Sequence, residues 1–89
     1  MNFPFKENKI NSQLLVREFD QYVNFDELIW HRDREDRKVS IIQSDGWQFQ
    51  FDNELPIDLH KGDELFIKAN DWHRVLPGDG KLIVAINIL

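Results

Sequence analysis

Ser44-Asp45-Gly46-Trp47-Gln48-Phe49-Gln50-Phe51-Asp52 decides the fold class. Asp45-Gly46 is a strong signal for a tight hairpin turn, because Gly tolerates the positive φ such turns need. The six residues after it alternate strictly. Trp47, Phe49 and Phe51 fall on one face and Gln48, Gln50 and Asp52 on the other, the pattern of a half-buried strand.

The stretches on either side repeat this grammar. Val39–Gln43 is β-branched and apolar, hence a strand. Downstream, a turn through Asn53-Glu54-Leu55-Pro56 leads to a short strand at Ile57–Leu59. Gly62 supplies a positive-φ position in the turn His60–Asp63, and Glu64–Lys68 is the next strand. Ala69-Asn70-Asp71 is a loop that leads into Trp72-His73-Arg74-Val75, and Pro77-Gly78-Asp79-Gly80 is a tight turn. Leu82–Leu89 is a long apolar closing strand. Short strands with turns every eight to twelve residues point to an all-β sandwich or small barrel. The short connections imply antiparallel pairing.

Upstream the reading is less regular. Residues 1–24 read as an N-terminal arm and 25–89 as the barrel of a single domain. Pro4 restricts any strand near it to an edge. A short helix can start at Asn11 or Ser12, with Leu15, Phe19, Tyr22 and Val23 on one face. The alternative is a strand through Leu14–Phe19. Phe25 to His31 reads as a strand that delivers His31.

The 89-residue chain is one-domain size, with 42% apolar, 30% charged and 12% aromatic residues, which suits a globular protein rather than a disordered one. A net charge of −5 disfavours nucleic acid and anionic membranes as partners. There is no cysteine, so no disulfide framework and no thiolate chemistry. With no signal-peptide pattern and no stretch approaching membrane-spanning length, the expected location is the cytoplasm. No Gly-rich phosphate loop or nucleophile elbow is present. Asp33, Glu35 and Asp36 could include a general base, but their spacing is no specific signal.

The chemistry lies in Trp30-His31-Arg32-Asp33-Arg34-Glu35-Asp36 and in Trp72-His73. On a strand, a His-x-Asp step puts both side chains on one side, about 6.6 Å apart at Cα. A second His brought alongside by sheet pairing makes a set of two imidazoles and one carboxylate.

These residues sit in a pattern that resembles the cupins, in particular small single-domain ones, from about Asp26 to the C-terminus. Gly62, five residues, Lys68, one residue, Asn70, two residues, His73 reproduces the spacing of the second cupin motif. Gly62 and His73 keep the family's residue types. Lys68 and Asn70 replace its Pro and Gly, and Pro77 stands where Asn is usual. The first motif fits in spacing as Phe25, five residues, His31-x-Asp33, three residues, Arg37, six residues, Ser44. His31 is retained; Asp33 takes the second His position, Arg37 the Glu position and Ser44 the Gly position.

The resemblance implies a small antiparallel jelly-roll barrel with a metal pocket in its mouth, commonly a homodimer. Cupins include dioxygenases, sugar isomerases and epimerases, metal-dependent hydrolases and non-catalytic ligand sensors, and a fold does not choose among them. His31 and His73 match the family's metal-binding positions, and Asp33 is the candidate third ligand. Such a set suits Fe(II), Mn(II), Zn(II) or Ni(II). The expected ligand is a small polar metabolite, an anionic one included.

Arg37 leaves three readings open. As a fixed cation it can pair with Asp33 and make a metal-free ion-pair cluster, leaving a non-catalytic sensor or assembly module. It can instead clamp an anionic substrate, or simply be solvated in a charged loop. Gln48 and Gln50 line the pocket only if the aromatic face of their strand packs outward; otherwise they are surface residues. If both His side chains point inward, Trp30 and Trp72 point outward and make an exposed apolar patch, which favours a homodimer. His60 precedes a turn glycine and reads as an exposed loop residue.

Overall fold

The structure, a computed structural model, describes residues 5–20 and 30–89. It contains strands β1 (Phe5–Lys9), β2 (Leu14–Phe19), β3 (Arg37–Ser44), β4 (Gln48–Phe51), β5 (Ile57–Asp58), β6 (Glu64–Ile67), β7 (His73–Leu76) and β8 (Leu82–Ile88). A five-stranded sheet runs β1-β2-β8-β3-β6 and a three-stranded sheet runs β5-β4-β7. All the pairings are antiparallel. The fold is all-β, as the turn spacing predicts.

The core lies between the sheets. Leu15 and Phe19 of β2, Val39 and Ile41 of β3, Ile67 of β6 and Leu82, Val84 and Ile86 of β8 supply one wall. Trp47, Phe49 and Leu59 supply the other. The alternation in Trp47–Asp52 is therefore real, and its aromatic face points inward. In β3 a bulge between Ile41 and Gln43 breaks the alternation, so Ile42 and Gln43 are both exposed.

Two sequence expectations need correction. Asp45-Gly46 does not close a hairpin. β3 is already paired on both sides, by β8 and β6, so the chain must leave that sheet and start β4 in the other. The turn is a corner, and Gly46 adopts a φ of 80° there. Asp45 ties it to the return crossing: its carboxylate accepts the Lys81 backbone N–H at 3.0 Å, and its own N–H donates to the Lys81 carbonyl at 3.0 Å. Gly78 and Gly80 lie flat against this corner. A Cβ on Gly78 would come within 2.2 Å of the Asp45 carbonyl oxygen.

The helix from Asn11 does not form in the described residues; the alternative strand, Leu14–Phe19, does. Asn11 still uses its side-chain oxygen as a cap, accepting the N–H groups of Gln13 at 2.8 Å and Leu14 at 2.9 Å. It caps the β1–β2 turn rather than a helix. Tyr22 and Val23, the boundary at residue 24 and positions 25–29 of the expected strand lie outside the described residues.

Candidate metal centre

His31 and His73 face each other across an isolated antiparallel bridge. They exchange both backbone hydrogen bonds, at 3.0 and 2.9 Å. Directly opposed residues put their side chains on the same face, so the two imidazoles come together with ring centroids 4.3 Å apart and planes at 69°. Asp33, two residues beyond His31, joins them from the same side. His73 Nε2 is 3.4 Å from Asp33 Oδ2. One donor atom from each of His31, Asp33 and His73 can be chosen so that all lie within 4.8 Å of one another. In a tetrahedral or facial set with bonds of about 2.1 Å the donors lie about 3.0–3.4 Å apart, so the three side chains would draw in around an ion.

The loop before β7 fixes Asp33. The Asn70 N–H donates to the Asp33 carbonyl at 2.7 Å, and Asn70 holds a φ of 69° to do so. This is why Asn can stand at a position where the related motif has Gly: both tolerate the left-handed region. Asn70→Gly should leave stability within about 0.5 kcal/mol, whereas Asn70→Ala should cost about 1 kcal/mol in urea unfolding.

His73 is 4% exposed, with Phe49 stacked at 5.6 Å against its ring. Burial lowers its pKa from the ordinary histidine value, with smaller contributions in the same direction from His31 and Arg37; the Asp71 hydrogen bond and Asp33 act against it. The imidazole is therefore neutral at physiological pH. Its Nδ1 is 2.9 Å from the Asp71 carbonyl oxygen. A carbonyl only accepts, so the ring proton sits on Nδ1 and Nε2 presents a lone pair. That lone pair faces a carboxylate oxygen, an arrangement that a bound cation or a shared proton satisfies. Orientation of a ligating imidazole by a backbone carbonyl is the usual outer-shell arrangement at metal sites.

Arg37 is the competing cation. Its Nη1 is 3.5 Å from Asp33 Oδ1 and its Nη2 is 3.2 Å from Glu35 Oε1. The Asp33–Arg37 pair anticipated from the sequence is present, with the guanidinium shared between two carboxylates.

A cavity of about 440 Å³ runs between the sheets from this cluster. His31 is exposed and His73 buried, so the cluster stands where the cavity meets solvent. Arg37 lines the cavity together with the three candidate ligands. Gln48 and Gln50 do not. They lie on the outer face of β4, where Gln48 donates to Asp58 at 2.8 Å and Gln50 donates to the Glu54 carbonyl and accepts from Arg74 Nε, both at 2.8 Å. Because Trp47 and Phe49 fill the core, the residues alternating with them must face outward.

The sequence reading missed one feature that is plain in the letters. Trp-His-Arg occurs twice, at 30–32 and 72–74. Antiparallel pairing about His31 and His73 sets each Trp across from the other copy's Arg. The Arg74 guanidinium lies 4.5 Å over the Trp30 ring, and that of Arg32 lies 5.1 Å over Trp72. The expected outward Trp patch is thus partly capped by cations: Trp30 is half-buried and Trp72 is 43% exposed.

Known proteins share the fold but not the sequence. No protein-family model matches the chain, and no curated protein matches it in sequence. Solved structures do. A chain from the crystal structures of the DMSP lyases RdDddP and RnDddQII superposes with a TM-score of 0.71 over 84% of this chain, at 17% identity. A cupin-2 domain containing protein from Shewanella frigidimarina NCIMB 400 gives 0.65 over 96% of this chain and 80% of its own, at 15% identity. This chain has the cupin fold. FeII HppE in complex with substrate gives 0.67 over 98% of this chain and 54% of its own, at 14% identity. The cupin fold of this chain spans 36% of the DMSP lyase chain it matches. Among the described residues, no helix is long and apolar enough to cross a membrane.

Proposed function

We propose that this chain is a metal-binding cupin that holds one divalent first-row ion on His31, Asp33 and His73 and binds a small-molecule ligand beside it. The observation that carries this reading is the apposition of the His73 Nε2 lone pair and the Asp33 carboxylate, 3.4 Å apart. FeII HppE, a protein of similar fold, supports it by holding iron. The ion would supply Lewis acidity and open coordination positions. The chain's own residues orient the ligands: the Asp71 carbonyl sets the His73 tautomer, and the Asn70 N–H anchors the Asp33 backbone. If the protein is an enzyme, the donor set fits an oxygenase or isomerase type.

A second reading is favoured by the Arg37–Asp33 contact at 3.5 Å. In it the cluster is a metal-free ion-pair network, and the cupin is a ligand sensor or a homodimeric assembly module. Elemental analysis of protein purified without chelator separates the two. The metal reading expects one equivalent of Fe, Mn, Ni or Zn per chain, lost in both His31→Ala and His73→Ala. Metal-free wild type that takes up no ion on titration overturns it in favour of the ion-pair network.

A further inference from the structure

We propose that the cavity takes an amphipathic anion, an apolar body ending in a carboxylate, with the carboxylate drawn to the metal-charged cluster and to the Arg37 guanidinium. This rests on the metal reading above and names its ligand class.

The first observation is the wall. Along β3 the inward positions are Arg37, Val39 and Ile41, so the cation continues an apolar row. Phe49, Val84 and Ile86 extend the apolar surface around the same cavity. Its volume of about 440 Å³ lies within the range of small organic ligand sites. A wholly polar ligand would leave these walls unmatched.

The second observation is a spare donor. Arg37 Nε is buried with no hydrogen-bond partner among the described residues, while the two terminal nitrogens are on Asp33 and Glu35. Buried N–H groups are rarely left unpaired; this one is closed to the cavity as placed, so the guanidinium must turn for an acceptor to reach it. The neighbouring guanidiniums are differently placed. Arg17, which also lines the cavity, is held by Glu7 and by the Phe5 ring, and Arg32 lies over Trp72.

The third is charge. Asp33, Glu35 and Arg37 together carry −1. A divalent ion on Asp33 turns this trio to +1, and Arg32, which also lines the cavity, adds to it, so the loaded site favours an anion. Anion binding is then coupled to metal binding, and the chelated protein should refuse the anion.

Octanoate, with acetate as the control that has the same head and no body, tests this by titration calorimetry on wild-type protein loaded with Zn(II) and on protein stripped with chelator. Octanoate should bind the loaded form at least tenfold more tightly than acetate does, and at least tenfold more tightly than it binds the stripped form. Arg37→Met should weaken octanoate at least tenfold while metal stoichiometry stays at one. Metal uptake with no preference for octanoate over acetate, or with equal octanoate binding to stripped protein, overturns this proposal and leaves the metal reading standing. The wild-type comparison decides the matter even if Arg37→Met folds poorly. Failure to take up Zn(II) at all is the separate result that removes the metal reading and this one together.

Discussion

Trp47→Ala should leave the protein largely unfolded at 37 °C. Trp47 is fully buried, at 0% exposure. It follows the corner between the two sheets, and its ring lies 5.6 Å from that of Phe19 on the opposite wall. Its indole N–H donates to the Gly80 carbonyl at 2.8 Å, tying the corner at 45–46 to the returning chain. Truncating a buried Trp costs about 3–5 kcal/mol, and an unpaired carbonyl adds to that. Domains of this size have about 5–15 kcal/mol in all, and each kcal/mol lost lowers Tm by about 4–8 °C. Thermal melts followed by circular dichroism should therefore fall by about 12–40 °C. Trp47→Phe keeps most of the buried area and loses the indole N–H, so its loss should be less than half as large. A Trp47→Ala protein melting within 5 °C of wild type would show that the two sheets are not joined through this side chain.

Strand positions were largely legible because burial imposes a period of two on the sequence, and Trp47–Asp52 shows it without interruption. Partners were not, because a turn signal reports that the chain reverses and not which strand it then meets. Asp45-Gly46 reads identically in a hairpin and in a corner; what decides is that β8 and β6 already occupy both edges of β3. In β2 the inward residues are Leu15, Arg17 and Phe19. Arg17 breaks the apolar alternation, and Leu15 and Phe19 alone fit a helical period just as well. The structure accommodates an inward cation by pairing it with Glu7 and laying it on Phe5, two contacts that arise only once β1 and β2 are side by side.

The three candidate ligands were legible because a His-x-Asp step on extended chain fixes one face, and because the spacing to His73 matched a known motif. What orients their donor atoms was not. The proton position on His73 depends on the Asp71 carbonyl, a backbone atom with no signature in the residue letters. The role of Arg37 depends on Glu35 sharing it with Asp33. The repeated Trp-His-Arg tripeptide could have been seen, and it predicts the antiparallel His31–His73 pairing: each Trp then finds an Arg across the ladder, a contact that favours that register over its neighbours.

Metal should raise the melting temperature of the wild type by about 15–30 °C and leave that of His73→Ala unmoved. An ion that binds only the folded chain stabilises it by about 4 kcal/mol when present at a thousand times its dissociation constant, which at about 4–8 °C per kcal/mol gives this range. His73 is the ligand to remove because its ring is buried, held on Phe49 and oriented by the Asp71 carbonyl, so its donor is the most preorganised of the set. The variant also loses packing against Phe49, so the quantity to compare is the shift each protein gains on adding metal, not its absolute melting temperature. His60→Ala is the control: His60 is exposed in the turn beside Asp63, and its removal should preserve the whole shift. Asp33→Asn should keep part of it, since the amide oxygen remains a donor without the charge. An equal shift in wild type and His73→Ala would mean that the ion binds elsewhere. No shift in wild type with Mn(II), Fe(II), Ni(II) or Zn(II) would leave Arg37 as the cation that the Asp33 carboxylate was built to hold.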